Sequence, residues 1–169
     1  GSSGNGTTSH LGGAMFASLT GTEMTHVPYK GSGPMLTDLL AGQLQLSFSS
    51  VPTALPHIKS GRLRALAVTL LKRSGVLPDL PTVEEAAGLK GFEISLWQGI
   101  VAPAATPREI VNRLNSELVK AMSAADMKPR LAQAGVEPLT STPEEFASFI
   151  QREAERFGKV IRAAGIKGG

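Results

Sequence analysis

Cysteine is absent from the 169 residues, and no apolar stretch is long enough to cross a membrane. The missing cysteine excludes disulfides, thiolate metal ligands and thiol nucleophiles. A membrane-spanning helix needs about 20 consecutive apolar residues, and Gly, Pro or a charged residue interrupts every apolar run well before that length. The first residues also lack the basic and then apolar segments of a secretion signal. We therefore expect a globular chain without a membrane span.

The familiar catalytic and metal-binding signatures are missing as well. The sequence has no G-x-S-x-G elbow, no P-loop and no H-E-x-x-H, and residues 4–6 and 31–33 match only part of G-x-G-x-x-G. His10, His26 and His57 are too far apart in sequence for a short metal-ligand spacing. We predict no catalytic residue, no metal site and no cofactor, although a missing signature does not by itself exclude an enzyme.

The charge is only mildly positive. Lys and Arg number 17 against 14 Asp and Glu, which gives a formal net charge of +3. The basic residues are scattered along the chain, without the clustering that nucleic-acid binding requires. The balance predicts a weak attraction for small anions and no nucleic-acid partner.

Up to about residue 69 the pattern alternates between strands and helices. Caps and apolar stripes predict helices at residues 7–20, between residues 31 and 42, and at residues 54–59. Short apolar runs between them predict strands at residues 24–28, 44–48 and 63–68. This alternation is typical of an α/β fold with a parallel-rich sheet and flanking helices.

The second half begins with turns and capped helices. Residues 82–85, 106–109 and 142–145 each have the Thr-x-x-Glu spacing of a capping box, with Pro107 expected as a first helical residue. Residues 92–102 form the longest strand-like run and contain Trp97, typical of a core residue, with a pocket wall as the alternative. Two later helices carry apolar stripes that need a packing partner. Their members are Ile110, Leu114, Leu118 and Met122 in one helix, and Phe146, Phe149, Ile150, Phe157 and Ile161 in the last.

Two helix starts combine glycine with hydroxyl or basic residues. Gly6, Thr7 and Thr8 precede or open the first helix, and residues 29–33, with Lys30, precede the second. At such a start the free backbone N–H groups and the helix dipole favour a carboxylate or phosphate. Ordinary helix caps and tight turns also explain the same residues, and composition and spacing alone favour that interpretation without excluding an anion site.

Several ordered motifs resemble one family. They are Val-Pro-Tyr-Lys-Gly at 27–31, Leu-Leu-Ala-Gly-Gln at 39–43, the run from Leu55 to Thr69, Leu-Pro-Asp-Leu-Pro-Thr-Val at 77–83, Trp-Gln-Gly at 97–99, Ala-Pro at 102–103, Thr-Pro at 106–107 and Gly-Ile-Lys at 165–167. In these motifs the chain resembles the Bug-type receptors of tripartite tricarboxylate transporters, over almost all of its length. The match corresponds to the C-terminal part of the family's full length.

The resemblance implies a periplasmic binding protein of type II-like fold, and therefore a fragment of a two-domain receptor. Residues 1–94 would form the second, ligand-binding α/β domain. Residues 95–169 would form the hinge return and the C-terminal helices of a first domain whose N-terminal part is absent. The implied function is to receive a small organic carboxylate in the periplasm and to deliver it to a membrane permease. A regulatory effector-binding domain of the same fold, or an enzyme using the same cleft, are the alternatives.

The resemblance also assigns ligand candidates. They are Gly6, Thr7 and Thr8 in the first loop, Tyr29, Lys30 and Gly31 in the second, and Ser49 after the strand at 44–48. Many relatives carry Asp where this chain has Ser49. A neutral Ser49 cannot pair with an ammonium group as a carboxylate would, so we hypothesise a ligand without an amino group. Because the last helix would lie on a sheet that the chain lacks, we also predict self-association through its stripe, or poor stability.

Overall fold

A computed structural model describes residues 1–163 and 165–166, so Lys167, the last residue of the Gly-Ile-Lys motif, lies outside the described residues. Four helices belong to the first part of the chain: α1 (Thr8–Thr20), α2 (Ser32–Leu40), α3 (Val51–Lys59) and α4 (Val83–Ala87). Three follow: α5 (Arg108–Ser123), α6 (Met127–Gln133) and α7 (Pro143–Ala163). Within the described residues, no helix is both long and apolar enough to cross a membrane.

The predicted helices of the first part are present, and their ends lie at a capping threonine, at glycines or near a first-turn proline. Thr7 caps α1, and Gly21 ends it in the left-handed conformation (φ 66°). The helix α2 begins after Gly31, and Gly42 (φ 75°) follows its end. The helix α3 begins at residue 51, three residues before the predicted start, with a proline in its first turn.

The predicted strands are sparsely paired. Among the described residues, β-pairing is limited to two isolated parallel bridges, Ser2 with Pro28 and Val68 with Thr82. Single hydrogen bonds extend the second alignment, since the Ile94 N–H donates to the Thr69 carbonyl (2.9 Å). The direction is parallel, as predicted for this α/β pattern, whereas continuous ladders are not formed in this part of the chain.

Two of the three predicted capping boxes are formed. Thr82 with Glu85 and Thr142 with Glu145 each make both reciprocal hydrogen bonds, at 2.8–3.2 Å. The box predicted at Thr106 is wrong. Its N–H already donates to the Pro103 carbonyl (2.9 Å), and Pro107 is extended (ψ 140°), so that α5 begins one residue later without a side-chain cap.

The main core joins the first and last parts of the chain. Its buried members are Leu11, Val83, Phe92 and Ile94. Phe157 and Ile161 of α7 pack against this cluster. The expectation that the whole stripe of α7 lacks a partner is therefore wrong for its C-terminal half, because α7 lies against α1 within the chain.

The N-terminal half of α7 packs elsewhere. The Trp97 ring makes edge contacts with Phe146 (5.7 Å between centroids) and Phe149 (5.2 Å), which supports the packing interpretation of Trp97. Ile150, predicted to be buried, is 37% exposed. Ile110 and Leu114 of α5 are each 50% exposed, so the apolar face of that helix is only partly covered.

Candidate functional site

The two predicted anion-binding loops lie side by side. We define loop 1 as residues 3–10 and loop 2 as residues 29–33. The Tyr29 N–H donates to the Ser2 carbonyl and the Gly31 N–H donates to the Ser3 carbonyl, both at 3.0 Å. A Cβ on Gly4 would lie 3.3 Å from the Tyr29 carbonyl oxygen, so glycine permits this close approach. Main-chain hydrogen bonds therefore hold the starts of α1 and α2 next to each other.

A chain of hydroxyl groups stabilises loop 1. The Thr7 hydroxyl donates its only proton to the Gly4 carbonyl (2.7 Å). The Thr7 oxygen must then accept from the Ser9 hydroxyl (2.9 Å), and the Ser9 oxygen accepts from the Ser3 hydroxyl (3.0 Å). The Ser3 N–H also donates to Ser9 (2.9 Å). In this conformation the hydroxyl protons of Thr7 and Ser9 are therefore donated within loop 1.

The donors that remain in loop 1 are mainly backbone groups. Within residues 1–163, the N–H groups of Thr8 and Ser9 in the first turn of α1 have no hydrogen-bond acceptor. The same holds for Ser32 and Gly33 in the first turn of α2. Both turns can therefore donate to an anion, since each has free N–H groups at the positive end of its helix dipole.

Tyr29 and Lys30 of loop 2 have different environments. The Tyr29 hydroxyl donates to Asp38 of α2 (2.7 Å). This hydrogen bond, followed by desolvation and the charge of Asp38, raises the pKa of the Tyr29 phenol. Lys30 is exposed, and its ammonium group makes no ion pair with any described residue. Lys30 is therefore available to an anion, whereas the Tyr29 proton is held by α2.

Ser49 follows a segment that touches both helices. A Cβ on Gly12 of α1 would lie 3.1 Å from the Phe48 ring, and the Ser47 hydroxyl lies 2.9 Å from the sulfur of Met35 in α2. The Ser49 hydroxyl donates to Ser47 (3.2 Å). Ser49 thus lies at the end of a segment that follows α2 and contacts both α1 and α2. Its hydroxyl donates to Ser47 and not to either loop.

Two histidines, separated by 16 positions in the sequence, meet at loop 1. The rings of His10 and His26 are stacked, with centroids 3.7 Å apart and an interplanar angle of 4°. His10 Nδ1 accepts from the Gly6 N–H (3.1 Å), and His26 Nε2 lies 2.6 Å from the Ser2 hydroxyl. Burial lowers the pKa of both rings, and the charges of His10 and of the Gly1 amino group lower that of His26 further. Sequence reasoning missed this pair, since only the fold shows that α1 and residues 24–28 adjoin.

Two surface depressions of the described chain are lined by residues of later helices. One of about 170 Å³ is lined by Ile110, Arg113, Leu114 and Glu117 of α5. A second of about 300 Å³ lies between α3 and α6 and includes Pro52, Lys59 and Gln133. Groups of three or more metal-ligating side chains are absent from the described residues. Neither of these two depressions includes a residue of loop 1 or loop 2.

Comparison with known proteins gives the class. A structure of an R. palustris protein with adipate has a TM-score of 0.88 at 39% identity, covering 95% of this chain and 54% of that one. MatC from Rhodopseudomonas palustris, with bound malate, has a TM-score of 0.75 at 32% identity, covering 90% of this chain and 53% of its own. The fold is that of a periplasmic binding protein, and the predicted α/β fragment of a two-domain receptor is confirmed.

The family model described as tripartite tricarboxylate transporter family receptor matches residues 1–166. A protein of Pseudomonas sp. (strain P51), encoded in a tcbD-tcbE intergenic region, is 44% identical over 160 residues, covering 95% of this chain and 48% of its own length. The chain belongs to the tripartite tricarboxylate transporter receptor family, as the motifs predicted. It spans about half the length of most curated relatives that it matches.

Proposed function

We propose that this chain carries recognition residues of an extracytoplasmic receptor for a small dicarboxylate. The observation that carries the proposal is the direct pairing of loops 1 and 2, which sets two helix starts with free N–H groups side by side. A carboxylate accepts such hydrogen bonds strongly, because its charge shortens and strengthens them. Lys30 adds a cation beside the same surface. Family membership makes an organic acid the natural anion.

Within this proposal the predicted site residues contribute in different ways. Thr8 supplies a free N–H and a hydroxyl, whereas Gly6 and Gly31 allow a close approach to the backbone, since their own N–H groups are donated to His10 and Ser3. Lys30 supplies charge. Thr7 and Tyr29 act through the loop conformation, since their hydroxyl protons are held by Gly4 and Asp38.

The hypothesis about the ligand's other substituents rests on Ser49. A neutral hydroxyl gives an ammonium group no charge partner, so the proposed ligand has carboxylates and no amino group. Adipate and malate, which accompany two structural relatives, are both acids of this kind.

The proposal places the receptor in the periplasm and makes a membrane permease its partner. Residues 1–94 form the ligand-binding domain, and residues 95–169 belong with a first domain that is completed by further chain. A ligand with higher affinity for the closed arrangement of two such domains drives closure without any chemical step. The ligand is therefore released unchanged.

The test is an NMR titration of the 169-residue chain with succinate. Shifts that saturate and are largest at the amides of Thr8, Ser9 and Ser32 are the expected result. Sodium chloride at equal ionic strength and 1,4-diaminobutane are the controls, and neither is expected to reproduce the pattern. Shifts that sodium chloride reproduces in full would refute binding at these loops, and conversion of succinate during the titration would refute a receptor without chemistry.

The amino-group hypothesis has its own comparison. Succinate is expected to bind more tightly than aspartate to the wild-type chain, and Ser49→Asp is expected to reverse that order. Tighter binding of aspartate by the wild type would contradict the assignment of Ser49.

A further inference from the structure

We propose that His10 is a positioning residue of loop 1, which as a neutral imidazole stacked on His26 holds the Gly6 N–H and so fixes the conformation presented to a carboxylate. The inference deepens the proposed function and rests on it for the identity of the ligand. The positioning itself concerns the protein without ligand.

The hydrogen bond between Gly6 and His10 has a defined direction. The Gly6 N–H donates to His10 Nδ1 at 3.1 Å, so that nitrogen carries a lone pair and the proton of the neutral ring is on Nε2. A protonated ring carries N–H groups at both nitrogens. Protonation of His10 therefore removes the acceptor of the Gly6 N–H. The new Nδ1–H donor would then face the Gly6 N–H donor, which is unfavourable.

Gly6 is in the left-handed region (φ 72°), immediately before the residue that caps α1. The orientation of its peptide group thus sets the path by which the chain enters the first turn of α1. The free N–H groups of Thr8 and Ser9 lie in that turn, so a change at Gly6 reaches the proposed donors.

His26 stacks on His10 and also contacts the Ser2 hydroxyl, which in turn accepts from the Gly4 N–H at 3.3 Å. The pair therefore holds both ends of the turn at residues 4–6. Stacking at 3.7 Å also disfavours a charge on either ring, because the second ring then lies against it in place of water.

The surroundings of His10 and His26 lower the pKa of both rings. Burial lowers the pKa of His10. Burial, then the charge of His10, then the amino group of Gly1 lower the pKa of His26. The other polar neighbours, Ser2 and the Gly6 N–H, are neutral. Both rings are thus expected to be neutral above their ordinary pKa and to gain protons only as the pH falls below it.

Three variants separate positioning from general support. His10→Asn keeps an acceptor oxygen near the Nδ1 position but does not titrate. His10→Phe keeps a flat ring for stacking but has no acceptor. His57→Asn is the matched control, since His57 lies in the last turn of α3, away from loop 1. Circular dichroism establishes whether each variant is folded. If His10→Phe does not fold, the comparison of His10→Asn with the wild type still tests the inference.

The first readout needs no ligand. In ¹⁵N NMR spectra the neutral His10 of the wild type is expected as the Nε2–H tautomer, and the Gly6 amide shift is expected to follow His10 as it titrates. In His10→Asn the Gly6 shift stays near its neutral value throughout, and in His10→Phe it differs at every pH. A Gly6 shift that ignores His10, or His10→Asn and His10→Phe variants that behave alike, would overturn the inference.

The second readout is succinate affinity between pH 8 and pH 5. Loss of one loop-ordering hydrogen bond is expected to weaken wild-type binding by up to about tenfold relative to His10→Asn at low pH. The comparison with His10→Asn removes the effect of succinate's own protonation. If the Gly6 shifts follow His10 but no variant binds succinate, the positioning stands and the proposed function fails. If succinate binds with equal pH dependence in both chains, the inference fails alone.

Discussion

Arg156 of α7 donates a hydrogen bond to the main-chain carbonyl of Glu93, 63 residues earlier, at 2.5 Å. The same guanidinium binds both carboxylate oxygens of Glu153, at 2.9 and 2.6 Å. Glu153 is only 8% exposed, so its carboxylate is paired with Arg156 in a largely buried position. The contact fastens the last helix to the extended segment that enters the main core at Phe92 and Ile94.

The first prediction concerns this ion pair. Arg156→Met leaves the Glu153 carboxylate buried without a partner and is expected to destabilise the chain by about 2–3 kcal/mol in urea unfolding. Arg108→Met is the control, because Arg108 and Glu144 are 77% and 60% exposed, and its cost is expected to stay below about 1 kcal/mol. Equal losses from the two variants would contradict the role assigned to Arg156.

The second prediction compares two threonines in the same Thr-Pro-x-Glu context. Thr142→Ala removes a formed cap and is expected to cost about 1 kcal/mol of unfolding free energy. Thr106→Ala removes a hydroxyl that makes no capping bond and is expected to change little. The measurement is denaturant unfolding of both variants, and a larger loss at Thr106 would contradict the structure.

The third prediction gives the pH dependence of that cap. The Thr142 N–H, and then its side chain, lower the pKa of Glu145 from its ordinary 4.5. A carboxyl group with a lowered pKa stabilises the folded state above its ordinary value and loses that contribution as the pH falls through the lowered one. The stability difference between the wild type and Glu145→Gln is therefore expected to shrink below pH 4.5. A difference that grows on acidification would refute it.

The fourth prediction concerns the backbone of loop 2. Gly31 has φ 108° and ψ 173°, a conformation that only glycine adopts easily, while the space around it is open. Gly31→Ala is expected to cost about 1–3 kcal/mol through backbone strain alone. Gly33→Ala, two residues later inside α2, is expected to be neutral or to stabilise by up to about 1 kcal/mol. Thermal unfolding of both variants measures the contrast, and a stabilising Gly31→Ala would contradict this backbone geometry.

The fifth prediction moves the expected surface for self-association from the apolar stripe of α7 to residues 100 and 101. Phe157 and Ile161 are packed within the chain, whereas Ile100 and Val101 are 71% and 80% exposed. Exposed apolar surface of this kind favours association. Light scattering is expected to give a mass that rises with concentration, and Ile100→Ser with Val101→Ser is expected to reduce the rise. Leu66→Ser, at a residue 68% exposed in the first part of the chain, is the control. A monomer mass at all concentrations would contradict the prediction.

The sequence allowed prediction of what is decided locally. The caps at Thr7, Thr82 and Thr142 and the turn at Gly21 depend on neighbouring residues, so most helices of the chain were predicted. The box at Thr106 failed because the Pro103 carbonyl takes the N–H that the box requires. The short helix α6 was missed, since Pro129 interrupts its helical pattern.

Contacts between distant segments could not be predicted from the sequence. The stacking of His10 on His26 depends on how α1 lies against residues 24–28, and the reach of α7 to α1 depends on the whole core. The family resemblance assigned residues of both loops to ligand binding, and the structure adds the hydrogen bonds that hold loops 1 and 2 side by side. The direction of the hydroxyl protons from Ser3 to Gly4 required the coordinates, because each hydroxyl in that chain can donate or accept.

The two contacts of α7 with residues 93–97 also set a distance. Glu93 meets Arg156, and Trp97 meets Phe149 and Phe146. Four extended residues cover about 13 Å, close to the roughly 10 to 15 Å of helix that separates their partners. A single inserted residue would lengthen the segment by about 3.3 Å and turn every later side chain to the opposite face. Although residues 93–97 form no strand in this structure, their two contacts with α7 specify the length of this segment as tightly as pairing specifies a strand of a sheet.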